Sequence, residues 1–218
     1  MSVPHVPSDD RLGPVLLEIL HNALTSVAEE MSVAVRRTSR STTVREMLDY
    51  STAVFDAAGR NIAQATSSPM ALTLAPCLEQ VLAEHLPPHA WCEGDVVILN
   101  DPYCGSQHLP DIVTFQPVFV AGRHIAFTGA MAHHVDVGGS SPGSYNMTAR
   151  EIYAEGLQIP PLRIMRGGVL AEDFPLYEAV PLAAPEQMAA FITERRAAGI
   201  TCFQVKVGND PHDDVERA

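Results

Sequence analysis

The stretch DIVTFQPVFVAGRHIAFTGAMAHH, Asp111–His134, sets two runs rich in β-branched and aromatic residues on either side of Ala121-Gly122-Arg123. Runs of this kind around a glycine turn predict a β-hairpin. Pro117 has no N–H to give a ladder, so it is expected at an edge or a bulge. With the turn centred on Gly122, Asp111 falls opposite His133, and a one-residue slip would place His134 there instead. Directly opposed side chains stand about 5 Å apart at Cβ, close enough to share one ion.

Immediately upstream, DVVIL (Asp95–Leu99) reads as a buried strand that empties into NDPYCGSQHLPDI, Asn100–Ile112. His108 stands three residues before Asp111 in that incoming loop, and is expected to bend to the same place. Two imidazoles and one carboxylate with open coordination positions suit Mn(II) and Fe(II), and also zinc. His108, Asp111 and His133 are therefore the candidate metal ligands. Asp136, at the same hairpin end, either orients a ligand imidazole or serves as a catalytic base, or else is a turn residue before Gly138-Gly139. Cys104 is expected exposed in the polar loop, with no adjacent base to make it a nucleophile. The loop VDVGGSSPGS, Val135–Ser144, lacks the Gly-Lys-Ser/Thr ending of a phosphate loop.

Further out, apolar residues from Val15 to Met31 recur at helical spacing behind Pro14, predicting a long amphipathic helix over 14–37. STAVFDAAGRNIAQA predicts a second hairpin, and LTLAPCLEQVLAEHL a helix that ends before Pro87-Pro88. YNMTAREIYAEG predicts a short helix closed by Gly156, and LQIPPLRI an extended segment. PLYEAVPL, PEQMAAFITERRAAG and ITCFQVKVG read as strand, helix and strand, the βαβ pattern of a parallel pair. The expected class is α+β: helices with β-hairpins in a mixed, largely antiparallel sheet core, plus a C-terminal βαβ unit. The expected division is a flexible leader at 1–13, a domain at 14–172 and a fragment at 173–218.

Composition excludes several classes. With 14 basic against 26 acidic residues in 218, the formal charge of −12 argues against nucleic acid or an anionic membrane as partner. No apolar run reaches the ~20 residues that span a bilayer, and no signal peptide is evident, so a cytoplasmic location is expected. Four cysteines without CxxC spacing predict reduced thiols.

GDVVILNDPYCGSQHLPDIVTFQPVF, AHHVDVGGSSPGS, EIYAEGLQIPPLRI and the earlier VRRTSRSTTVREMLDYSTAVFDAAGRNIAQA together resemble the hydantoinase B family, over roughly residues 14 to 170. That family includes N-methylhydantoinase and 5-oxoprolinase portions and the acetone carboxylase alpha subunit. The resemblance implies metal-assisted hydrolysis of a cyclic amide, or a related ATP-dependent carboxylation of a ketone, with ATP used by a hydantoinase A-like partner subunit. It also implies a manganese ion held by His108, Asp111 and His133. Family members commonly carry a histidine near SSPMALTLAP, where this chain has Met70, Ala71 and Leu72. A complete B subunit is several hundred residues long, so a truncated chain is expected, and a noncatalytic interaction module is the alternative. Residues 175–218 resemble the start of the barrel in the mandelate racemase and muconate lactonizing branch of the enolase superfamily. There Lys206, the single lysine of the chain, matches a catalytic base and Gln204 replaces a first lysine. One βαβ unit cannot perform a barrel's reaction, but it could complete a sheet with a second copy, a possible homo-oligomer.

Overall fold

A computed structural model describes residues 13–66, 74–171, 177–180, 184–197 and 202–205. Lys206, the segment around Met70–Leu72 and nearly all of the expected leader lie outside the described residues. The main body is a seven-stranded sheet in the order β2-β1-β5-β4-β3-β6-β7, antiparallel at every pairing. Its strands are β1 (Tyr50–Asp56), β2 (Asn61–Gln64), β3 (Val96–Leu99), β4 (Asp111–Val120), β5 (Arg123–His133), β6 (Leu162–Arg166) and β7 (Val169–Leu170). A separate parallel pair, β8 (Tyr177–Val180) and β9 (Cys202–Val205), is joined through α4 (Pro185–Ala197), the expected βαβ pattern. The class is α+β.

Helix α1 (Pro14–Thr38) opens with proline in its first turn and ends with Arg36 and Arg37, whose charge suits the C-terminal dipole. From Leu24 onward it meets the sheet, chiefly through buried Ala28 and Ser32. The small residues allow close approach: Thr52 Oγ1 donates to the Ala28 carbonyl at 2.8 Å, and the Ser32 and Tyr50 hydroxyls stand 3.0 Å apart. A short helix, α2 (Thr42–Arg45), follows. On the other face, α3 (Leu74–Gln80) runs into a π-helical turn, Val81–His85. Leu74, Leu78 and Val81 meet Phe55, Phe115 and Phe127 in the main core. β1 lies between both layers, so Tyr50–Phe55 are all buried and its sequence shows no alternation. Phe55 and Phe115 meet edge to face at 6.0 Å, as do Trp91 and Phe127 at 5.1 Å. Burial of each such ring contributes ~2–3 kcal/mol.

The hairpin of Asp111–His134 forms as expected, with two local differences. Its loop is the two-residue Ala121-Gly122, both at positive φ (51° and 75°), the twist that suits right-handed strands. A bulge between Val118 and Phe119 restores the residue that this tighter loop removes. Asp111 consequently pairs with His133, as the simpler turn assignment anticipates. Pro117 lies in a central strand but beyond the end of β3, whose pairing reaches only Phe115, so β4 is locally an edge there. The short helix expected before Gly156 is a single 3-10 turn, Ile152–Ala154. Its backbone instead holds the glycine loop, through Ser140 N to Ala154 O at 2.9 Å and Leu157 N to Val137 O at 2.8 Å.

Candidate metal centre

The site lies where β4 begins and β5 ends. Upstream, Asp101 caps a 3-10 turn (Pro102–Cys104) by accepting the Tyr103 N–H at 2.9 Å. Gly105 then turns the chain at φ 93°, and a Cβ there would sit 2.7 Å from the backbone of Pro76, so the loop rides directly on α3. Fully buried Asn100 clamps the assembly: its Nδ2 donates to the carbonyls of Leu109 and Leu157 at 2.7 and 2.8 Å, while its Oδ1 accepts the Ile159 N–H at 2.5 Å. This ties the His108 loop to the segment entering β6.

Asp111 is completely buried. Its Oδ1 stands 3.0 Å from His133 Nδ1, and its Oδ2 stands 3.4 Å from His108 Nδ1. The imidazoles meet edge to face with centroids 5.1 Å apart. One potential ligand atom from each of His108, Asp111 and His133 lies within 4.8 Å of the others. His108 Nδ1 and Asp111 Oδ2 are both buried without a hydrogen-bond partner. Burial pushes the Asp111 carboxyl above its ordinary range; the two histidines oppose this, and Asp49 adds to it.

Asp49 is the site residue that sequence reasoning missed. Its Oδ2 lies 3.7 Å from His133 Nδ1, its carbonyl accepts the His133 N–H at 3.1 Å, and its Oδ1 is buried without a partner. It stands just before β1, after Leu48 at φ 58°, a left-handed conformation unusual for a branched residue. Backbone strain of this kind persists where surrounding structure holds it. Only the pairing of β1 with β5 brings Asp49 here, and the sole local signal was an acid between two apolar segments.

The other candidates fall differently. His134 is exposed and outside the cluster; its Nδ1 donates to the Ala132 carbonyl at 3.0 Å. Asp136 is exposed and spends both oxygens on the glycine loop, accepting the N–H groups of Gly138 at 2.7 Å and Gly143 at 2.9 Å and the Ser144 hydroxyl at 3.3 Å. These bonds, Gly143 first and then Gly138, hold its carboxyl below the usual range. Cys104 is buried, contrary to the expected exposure, because its loop packs on α3. His85 Nε2 lies 3.8 Å from its sulfur, a neighbour the sequence concealed. Burial first, and Asp101 second, push the Cys104 thiol up, which keeps it protonated.

What the three ligand atoms and three orphaned polar atoms fit is a divalent cation. Two imidazoles and two carboxylates converge where Asp111 is desolvated and partly unpartnered, and a cation would relieve both costs.

Comparison with known proteins places the chain. The caprolactamase beta subunit of Pseudomonas jessenii is 37% identical over 166 residues, covering 74% of this chain and 28% of that protein. The crystal structure of the ATP-dependent caprolactamase from that organism superimposes with a TM-score of 0.65 at 34% identity, over 75% of this chain and 28% of the other. A 5-oxoprolinase of Dictyostelium discoideum is 35% identical over 162 residues, 74% of this chain and 13% of that protein. The fold is shared with nucleotide-free acetone carboxylase, with a TM-score of 0.64 at 20% identity over 87% of this chain and 25% of that one. The chain thus spans less than a third of the length of these relatives. The barrel resemblance expected for residues 175–218 draws no support from these comparisons. A sequence model of the family described as Hydantoinase B/oxoprolinase matches residues 13–188. On that match and these relatives, the chain belongs to the hydantoinase B/oxoprolinase family.

Proposed function

We propose that the chain supplies the metal-binding part of a hydantoinase B-type subunit, acting on a small cyclic amide of the hydantoin, oxoproline or lactam type. Hydrolysis is the reaction, and an ATP-using hydantoinase A-like subunit is the partner. The observation that carries this reading is the convergence of His108, Asp111 and His133 around a buried carboxylate with an unpartnered oxygen. Mn(II) suits two imidazoles with carboxylates, and Fe(II) or Zn(II) fits the same donors. When bound, the ion supplies Lewis acidity toward an amide oxygen.

The chain's own residues do the rest. Asn100 fixes the His108 loop, Asp49 steadies His133 through its backbone carbonyl and carboxylate, and Asp136 shapes the glycine loop that follows β5. The proton between His133 Nδ1 and Asp111 Oδ1 must leave when a cation takes its place, so binding should weaken in acid.

Metal analysis tests the reading directly. Purified protein should carry close to one equivalent of Mn, Fe or Zn, and His108→Ala should lose it. Retention of metal by His108→Ala and Asp111→Ala would sink the proposed centre. Lactam hydrolysis is then assayed with ATP, with and without a hydantoinase A-type subunit. A noncatalytic module that docks on such a subunit is the other outcome this assay distinguishes. Under it, metal and partner bind but no ring opens.

A further inference from the structure

A cleft of about 410 Å³ opens at the π-helical turn, lined by Val81, His85 and Leu86 on one side and by Val97, Pro161, Arg163 and Arg166 on the other. None of these residues belongs to the metal centre. We propose that this cleft is a binding site for a small organic carboxylate carrying a short aliphatic chain.

Charge is the first argument. The chain is acidic overall, yet two arginines and a histidine face this one cleft. Asp95 is the carboxylate facing Arg163, 3.5 Å from its Nη1. Both Asp95 oxygens already accept backbone N–H groups, from Cys92 at 2.9 Å and Gly167 at 3.0 Å. Arg163 donates once more, to the Ala90 carbonyl at 3.3 Å. A guanidinium carries five N–H donors, so Arg163 is held in place with donors to spare. The Arg166 side chain has no hydrogen bond or ion pair among the described residues, although its backbone pairs with Val169 in the sheet.

The second argument is construction. The turn that follows Arg166 is pinned, because Gly168 N donates to Gly94 O at 2.9 Å and a Cβ on Gly94 would lie 2.4 Å from Gly168 N. Arg166 therefore projects from a fixed backbone. On the opposite wall, the π turn sets His85 between the cleft and Cys104 Sγ, and such turns recur at functional sites. Val81, Leu86, Val97 and Pro161 line the cleft beside its charged groups, a combination that suits an aliphatic body with an anionic end. A planar carboxylate matches the arginine fork in a way that a neutral group of the same length cannot.

The experiment titrates sodium hexanoate into the full chain in EDTA and follows amide and methyl resonances of Val81, Leu86 and Val97 by NMR. Saturable shifts centred on these residues are expected. Arg166→Gln should weaken binding at least about fivefold, the factor for ~1 kcal/mol, and Arg166→Glu should remove saturation. Hexanol, with the same chain and no charge, should not saturate. Absence of saturation in wild type, equal affinity in Arg166→Gln, or hexanol binding as tightly as hexanoate would each overturn the proposal. So would a site that forms only when metal is added, since it would then belong to the metal centre. Because Arg166 is exposed at the end of β6, its variants should keep the fold, which the dispersion of the amide spectrum checks.

Discussion

Asp111→Asn separates a metal ligand from a merely structural ion-pair partner. Asp111 is fully buried, one oxygen facing His133 at 3.0 Å and the other unpartnered 3.4 Å from His108. Burial raises its carboxyl above the unfolded value of about 3.9. A raised folded pKa means that the folded state holds the proton more tightly. The metal-free protein is therefore most stable below the unfolded pKa and loses this contribution as pH rises through the folded one. At neutral pH the ionised carboxylate is a burden on the metal-free fold. An isosteric amide still accepts from His133 and removes the charge, so metal-free Asp111→Asn should be as stable as wild type or up to ~2 kcal/mol more stable. With metal the order reverses. At a free Mn(II) concentration of about a hundred times Kd, wild type gains about 2.7 kcal/mol, which raises Tm by roughly 5–11 °C for a chain of this size. Asp111→Asn should gain less than about a quarter of that, having lost the anionic ligand. The assay is thermal unfolding of both proteins in EDTA and across a manganese titration at pH 7.5. Equal metal-induced shifts would refute the ligand role. A metal-free variant destabilised by more than about 2 kcal/mol would show that the His–Asp pairs exist for the fold.

Three further outcomes are expected. Asp49→Asn should weaken metal affinity by about 10- to 100-fold while leaving the metal-free Tm nearly unchanged, as isothermal titration would show. Asn100→Ala strands the buried Leu109 carbonyl and the half-buried Leu157 carbonyl and Ile159 N–H, and should cost about 3 kcal/mol by urea denaturation; a loss below about 1 kcal/mol would mean that the clamp is dispensable. Asp136, held below the usual carboxylate range by the glycine loop, stabilises that loop above the unfolded pKa and loses the effect as pH falls through the lower folded value. Protease cleavage within Val135–Ser144 should accordingly rise in acid in the wild type, and should already be high and insensitive to pH in Asp136→Asn.

Among the described residues, no helix is long and apolar enough to cross a membrane, and Cys77, Cys92 and Cys104 are free. Burial pushes the Cys77 thiol up to about 12, so this α3 residue, packed beneath the loop that carries Gly105, is an inert part of the core.

Local chemistry in the sequence was enough to set the hairpin, its apolar faces and the long first helix, because turn residues and short periodicities act over a few neighbours. It was enough to anticipate the juxtaposition of three candidate ligands as well: His108 lies three residues before Asp111, and His133 comes opposite through the hairpin register. That register depended on two offsetting details, a two-residue loop and a bulge, that the residues alone do not reveal. Tertiary structure decided whatever required distant segments to compete for the same buried surface. The order of strands placed β1 beside β5 and brought Asp49 to His133. It left Pro117 beyond the end of β3, and packing of the loop on α3 buried Cys104 beside His85. The segment before Gly156 makes only a single 3-10 turn of its own, and its Ala154 carbonyl accepts from Ser140 N of the glycine loop. Side-chain periodicity reports which face a residue presents, whereas the partner for that face is chosen by burial summed over the whole chain.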